Sequence, residues 1–137
     1  MRPRLALTLL FVLCADAALA GDASMQTIMA ADVNPGALAF WAGGNDPPEG
    51  ETPAAAQVRW AAALKGAKVL QEKGRILMAA PYTRSGRWNE AAKLMIDMGA
   101  EGEAAAKAKN AEKAFDVGGR LYDACNLCHK VYVPRRE

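Results

Sequence analysis

The sequence predicts an all-α fold, an antiparallel four-helix bundle, from three observations. Apolar residues recur every three or four positions in four segments of roughly twenty residues each. Short stretches rich in proline, glycine and polar residues separate these segments. No segment alternates apolar and polar residues as a half-buried strand would. Because short loops join helices that run side by side in opposite directions, we expect the four segments to pack as one bundle.

The start of the chain differs from the rest and predicts a secretory signal peptide over 1–20. It combines basic residues, an apolar run over 5–13 and the sequence Ala-Leu-Ala at 18–20. The apolar run is too short to span a bilayer. Cys14 leaves attachment of a lipid open as an alternative, although the Ala-Leu-Ala site fits the signal rule better. We therefore expect a periplasmic protein whose single domain, the bundle, occupies 21–137 and has no membrane span.

The first helix is expected to begin near Asp22 and to run toward Trp41. Proline removes a backbone donor and clashes with the preceding turn, so Asn34-Pro35 predicts a kink or a restart of this helix. In a restart, Asn34 would be the N-cap and Pro35 the first helical residue. Three glycines and two prolines over 42–52 predict the loop that follows.

The second and third helices have clear limits in the sequence. Thr52 as N-cap and Pro53 at the first position begin the second helix, which ends before Pro81. The third helix is expected to start within 86–88 and to continue through an alanine-rich run that ends at Ala108. Both have an apolar stripe on one side and charged residues on the other, which is typical of helices in a bundle.

The fourth helix is expected to begin after Asn110 as N-cap and to end at Pro134. It contains Gly118 and Gly119, each of which costs about 1 kcal/mol relative to alanine inside a helix. Adjacent glycines at this place indicate that another backbone or a bound cofactor comes close, with weak local packing as the alternative.

The fourth helix contains the sequence Cys125-Asn126-Leu127-Cys128-His129, a C-x-x-C-H motif for attachment of c-type haem. In this chemistry the two thiols add to the haem vinyl groups, and the histidine binds the iron from the proximal side. Helical spacing of three and four residues brings Cys125, Cys128 and His129 to one side of the helix.

Other uses of these three residues are less well supported. A structural zinc site needs four ligands, and outside the motif the bundle has no cysteine or histidine. A redox C-x-x-C belongs near a strand–helix–strand pattern, and no strand is predicted. A disulfide between the two cysteines stays open as an alternative. The motif therefore predicts one covalent haem c on the C-terminal helix, held by Cys125 and Cys128, with His129 on the iron.

The layout of the chain, with the motif near the C-terminus and Tyr132 shortly after it, resembles the class II c-type cytochromes. These are the cytochrome c′ group and its low-spin relatives. Two segments, 28–41 and 123–134, also look like a bacterial subset of cytochrome c′-like proteins. The resemblance covers the whole exported part in layout, whereas only the motif is specific in sequence. It implies a bundle in which His129 is the proximal iron ligand.

The distal side of the iron divides this family. Members with five-coordinate iron place an apolar side chain of the first helix there and bind nitric oxide or carbon monoxide, whereas low-spin members place a methionine ligand there. The resemblance makes Met29 the better distal candidate, and Met25, one turn earlier, the second. Ordinary core packing is the alternative for both. Three tryptophans could also pack against the porphyrin, with core packing as the default for each: Trp41, Trp60 and Trp88.

Two positions depart from the family pattern. Met25 stands where the family often has an arginine near the haem propionates, and Val133 stands where it often has a basic residue four positions after the histidine. The sequence therefore does not identify partners for the propionates. Lys130, Arg135 and Arg136 are the nearest basic residues in sequence, and a solvated basic tail is an equally good interpretation of them.

The leading expectation for function is a periplasmic single-electron carrier with His129 as proximal ligand and Met29 or Met25 as distal ligand. A five-coordinate haem protein that binds nitric oxide or carbon monoxide is the second interpretation, and a non-haem helical interaction module is the third. An enzyme is not expected, because no second histidine is present to act as a distal acid–base group. The net charge of +2 gives no argument for nucleic acid as a partner. The expected partners are a redox protein and, since relatives often dimerise through their early helices, a second copy of the chain.

Overall fold

The structure, a computed structural model, describes residues 24–133. The predicted signal peptide over 1–20 lies outside these residues, as do Pro134, Arg135 and Arg136. Within the described part every regular element is helical, which confirms the all-α prediction. No helix of this part is long and apolar enough to cross a membrane.

Six helical elements make up the described part of the chain. In chain order they are α1 (Met25–Ile28), a π-helical turn (Met29–Val33), α2 (Asn34–Gly44), α3 (Pro53–Met78), α4 (Trp88–Ala108) and α5 (Ala111–Tyr132). The first three follow one another without a break and form one long helix. Four long helices therefore pack against one another, as the sequence predicts.

Of the two alternatives predicted for Asn34-Pro35, a kink or a restart, the restart with Asn34 as N-cap is wrong. Asn34 lies inside the continuous helix, and its backbone N–H donates to the carbonyl of Met29, five residues earlier, as in a π-helix. In a regular α-helix the ring of Pro35 would clash with the carbonyl four residues before it, that of Ala31. A wider turn at this place relieves the clash without ending the helix. The sequence signal was therefore located correctly, but its structural consequence is a π turn.

The predicted N-caps of the second and fourth long helices are confirmed. The Thr52 hydroxyl accepts a hydrogen bond from the backbone N–H of Ala55 at 3.2 Å. The Asn110 side-chain carbonyl accepts one from the backbone N–H of Lys113 at 2.9 Å. Each cap satisfies a donor that the first turn of a helix leaves without a partner, which fixes the start of α3 and of α5.

Neighbouring helices run antiparallel and approach closely at glycine residues. Along α2 and α3, Gly36 lies beside Gly66 and Gly43 lies beside Ala63, so residue numbers rise along one helix as they fall along the other. A Cβ on Gly66 would meet the carbonyl oxygen of Gly36. Only a residue without a side chain allows the two backbones to come so close.

The part of the bundle that we call the closed half is packed around Phe40, which is 1% exposed. A Cβ on Gly102 of α4 would lie 2.8 Å from Cζ of this ring, so the ring rests directly on the α4 backbone. Ala63 of α3 and Val117 of α5 belong to the same hydrophobic cluster and are completely buried. We use the term closed half for these four residues and Gly66, all of which are buried.

Candidate cofactor-binding site

An apolar cavity of about 250 Å³ lies between the first long helix, α4 and α5. Small side chains make room for it: Ala37 on α2, Ala91 and Ala92 on α4, and Ala124 on α5. His129 borders the cavity and is exposed, so the cavity opens to solvent near the C-terminal end of α5. We call the residues that line this cavity the open half of the bundle.

The three motif residues share one wall of the cavity. Cys125, Cys128 and His129 lie near the C-terminal end of α5 and all border the cavity, as their helical spacing predicts. Both cysteines are half-buried free thiols. Two thiols and one imidazole therefore face the same apolar space from a single helix.

Burial raises the pKa of both thiols above the ordinary value. For Cys125, loss of hydration is the main cause. For Cys128, loss of hydration is again the largest cause of the raised pKa, Cys125 adds to it, and the positive charge of Arg84 opposes it. A thiol with a raised pKa stays protonated at neutral pH. Both cysteines are therefore held as neutral thiols in this structure.

Met29 forms part of another wall, on the first long helix. It begins the π turn, is half-buried and borders the cavity together with Val33. Met25 packs against the hydrophobic core, but it does not border the cavity. Of the two predicted distal candidates, only Met29 shares a space with the motif residues.

A second methionine that lines the cavity, Met95 of α4, is a site residue that the sequence does not single out. It is 6% exposed and lies one turn after Ala91, which also borders the cavity. The apolar stripe of α4, in which these residues are four positions apart, is the sequence signal that identifies Met95 as inward-facing. The stripe does not reveal that a cavity, rather than packed side chains, lies in front of it.

Two of the three tryptophans line the cavity, and each is fixed by a hydrogen bond to a backbone carbonyl. Trp41 Nε1 donates to the carbonyl of Gly118 at 3.0 Å, and Trp88 Nε1 donates to the carbonyl of Leu77 at 2.7 Å. Trp60 is buried away from the cavity, so core packing describes its role. The indoles thus form rigid walls, since both of their polar groups are already satisfied.

The adjacent glycines of α5 have different surroundings. A Cβ on Gly118 would lie 2.8 Å from Cδ1 of Trp41, so a side chain, rather than a backbone, makes the close approach there. A Cβ on Gly119 would have no neighbour within 4 Å, which contradicts a close backbone at this position and fits the alternative of weak local packing. Gly118 is therefore needed to seat the Trp41 wall of the cavity.

The donor groups around the cavity fit haem c. Within 24–133 no group of three or more His, Cys, Asp or Glu side chains is arranged to hold a metal ion. Haem brings its own porphyrin nitrogens and needs from the protein only the thioether links and the axial ligands. Two thiols, an imidazole and the thioethers of two methionines border this one apolar cavity.

Comparison of the chain with protein-family models, with curated proteins and with solved structures found no match. A function therefore has to be inferred from the cavity, its donor groups and the helices that hold them.

Proposed function

We propose that the protein is a periplasmic c-type haem protein that transfers single electrons. Cys125 and Cys128 hold the haem, His129 is the proximal iron ligand and Met29 is the distal ligand. The observation that carries the proposal is that the C-x-x-C-H residues and a methionine from a different helix border one apolar cavity. The signal sequence supports a periplasmic location.

Each group around the cavity has a physical role in this function. The two thioether links hold the cofactor at the end of α5, and the bound haem supplies one-electron chemistry at its iron. Bound to the iron, the soft thioether of Met29 would favour the reduced state and raise the reduction potential. The apolar walls act in the same direction, because a site of low polarity disfavours the extra positive charge of the oxidised iron.

A five-coordinate haem protein that binds a diatomic gas is the second candidate, and one observation favours it. Ala37, Ala91 and Ala92 border the cavity near the first helix and α4, and their small side chains leave space that a gas molecule can occupy. The two haem functions differ at a single point, which is whether Met29 binds the iron.

The first experiment asks whether haem is covalently attached. The full chain is produced with a c-type haem attachment system, extracted with acid–acetone and measured as the pyridine haemochrome. We expect one haem per chain that resists extraction, and none in the double variant Cys125→Ala, Cys128→Ala. Absence of covalent haem from the unaltered chain would refute both haem functions and favour the non-haem interaction module.

The second experiment compares three methionine variants in the haem-loaded protein. We expect the unaltered protein, Met25→Ala and Met95→Ala to have a low-spin spectrum that carbon monoxide does not change. Only Met29→Ala is expected to have a high-spin spectrum that carbon monoxide changes. Met25→Ala is the control for a methionine of the same helix outside the cavity, and Met95→Ala is the control for a methionine inside it. A high-spin, carbon monoxide-sensitive spectrum of the unaltered protein would replace electron transfer with gas binding.

A further inference from the structure

The loop over 79–87, between α3 and α4, is fastened to the end of α5. The Tyr132 hydroxyl donates a hydrogen bond to the backbone carbonyl of Ser85 at 2.5 Å. The ring of Tyr132 meets the ring of Trp88 edge to face, with centroids 5.2 Å apart. Because Tyr132 lies three residues after His129, these contacts place the loop beside the haem motif.

Arg84 of this loop lies over a wall of the cavity. Its guanidinium carbon is 5.2 Å from the centroid of the Trp88 ring, and Trp88 is a buried residue that borders the cavity. This contact puts the guanidinium next to the cavity.

The charge of Arg84 is not neutralised by another side chain of the described region. Arg59 and Arg120 are each paired with a glutamate, at 2.7 and 2.5 Å. Within 24–133 no carboxylate lies within ion-pair distance of Arg84. A guanidinium stacked on an indole keeps its planar fork of donors available and oriented, which suits a carboxylate.

We infer that Arg84 binds a propionate carboxylate of the haem and turns that edge of the macrocycle toward the loop over 79–87. The inference rests on the proposed function, because only a bound haem brings the carboxylate to this place. Lys130, a basic residue next to the motif in sequence, is exposed on α5. Arg84 is far from the motif in sequence and close to it in the fold, so it is identified only by the structure.

A positive charge on the propionate has two measurable consequences. The guanidinium charge offsets the negative charge of the propionate, which would otherwise stabilise the oxidised iron. Removal of the guanidinium charge therefore lowers the reduction potential. The guanidinium charge also favours the ionised carboxylate and so lowers the propionate pKa. Without this charge, the pH range over which the potential changes moves to higher pH. For a partly exposed pair we expect the equilibrium constant for reduction to change about two- to fivefold. The corresponding shift in potential is smaller than 59 mV, which is the shift for a tenfold change in a one-electron couple.

The test compares Arg84→Gln, Arg84→Lys and the control Arg87→Gln in haem-loaded protein. Arg87 is an exposed arginine three residues later. Haem content is measured first, then the midpoint potential by spectroelectrochemistry from pH 5 to pH 9. We expect a lower potential and a shifted pH profile in Arg84→Gln, largely restored values in Arg84→Lys, and no change in Arg87→Gln.

The two proposals fail in different ways in this experiment. If the unaltered chain carries no covalent haem, both the proposed function and the role of Arg84 are wrong. If all variants carry haem and Arg84→Gln has the potential and the pH profile of Arg87→Gln, the role of Arg84 alone is wrong. Melting temperatures of the three variants, measured by circular dichroism, are expected to agree, since both arginines are exposed.

Discussion

The closed half and the open half of the bundle use small residues for opposite purposes. In the closed half, Gly66 and Gly102 let a backbone or the ring of Phe40 come into direct contact, so no space is left. In the open half, Ala37, Ala91 and the neighbouring small residues border a cavity of about 250 Å³. Small residues therefore accompany close packing at one place and a cavity at the other.

The difference shows which half is complete without a ligand. The apolar walls of the open half lack packing partners, which lowers stability relative to a filled core. The closed half has no such cost. Filling the open half with a covalently attached macrocycle removes this cost, and we expect the haem-loaded protein to be much more stable than the haem-free chain.

The largest change in the free energy of unfolding is expected when one methyl group is added to the closed half. In Gly66→Ala the new Cβ meets the carbonyl oxygen of Gly36 and lies 3.1 Å from the backbone nitrogen of Phe40, and neither atom can rotate away. We expect a loss of about 3 kcal/mol in the free energy of unfolding, measured by urea denaturation. Gly119→Ala, on open surface in α5, is the control and should gain up to about 1 kcal/mol from helix propensity. Equal stabilities of the two variants would contradict the close approach of α2 and α3.

The same substitution, alanine to leucine, tests the difference between the two halves when it is made once in each. In haem-free protein that lacks Cys125 and Cys128, Ala37→Leu fills part of the cavity and should stabilise by about 2 kcal/mol, at about 0.8 kcal/mol per buried carbon. Ala63→Leu, in the completely packed closed half, should destabilise by about 1–3 kcal/mol. In chains with the motif intact, Ala37→Leu should also lower haem content, because leucine occupies the space for the macrocycle. A destabilising effect of Ala37→Leu on the haem-free chain would show that the cavity is not a space that side chains can fill.

The features that the sequence predicts well depend on residues a few positions apart. Thr52 and Asn110 cap their helices because the acceptor and the donor are three residues apart, and the spacing within the motif brings Cys125 and His129 to the same cavity. The π turn before Pro35 was not predicted, since it reflects a balance between the local clash and the packing of the whole first helix.

The remaining site features depend on contacts between distant parts of the chain. The resemblance already prefers Met29 over Met25, and the position of the cavity, which Met29 borders and Met25 does not, adds a reason that the sequence does not contain. Met95 and Arg84 could not be assigned, because nothing local indicates which helix face borders a cavity or which loop lies beside the motif. The periodicity of a sequence shows which face of a helix points inward, but it does not show whether that face meets packed side chains or a cavity.

The smallest expected effect concerns an ion pair beside the closed half. Arg120 of α5 donates to both carboxylate oxygens of Glu101 on α4, at 3.2 and 2.5 Å. The hydrogen bond from Arg120 lowers the pKa of Glu101, although partial burial opposes the shift. A carboxylate whose pKa is lowered by folding stabilises the protein above its unfolded pKa, and this contribution is lost as the pH falls through the lowered value.

We therefore expect Glu101→Gln to lower the free energy of unfolding by less than about 1 kcal/mol at pH 7, since the pair is partly exposed. The difference from the unaltered protein should shrink as the pH falls below about 4.3, the ordinary glutamate pKa. Glu49→Gln, in the loop before α3, is the control and should leave the free energy of unfolding at pH 7 unchanged, because no ion pair to Glu49 is present within 24–133. Haem content should be equal in all three proteins, because the pair lies beside Gly102 and outside the cavity. A loss of haem in Glu101→Gln would mean that the two halves of the bundle are coupled and are not separate in stability and in binding.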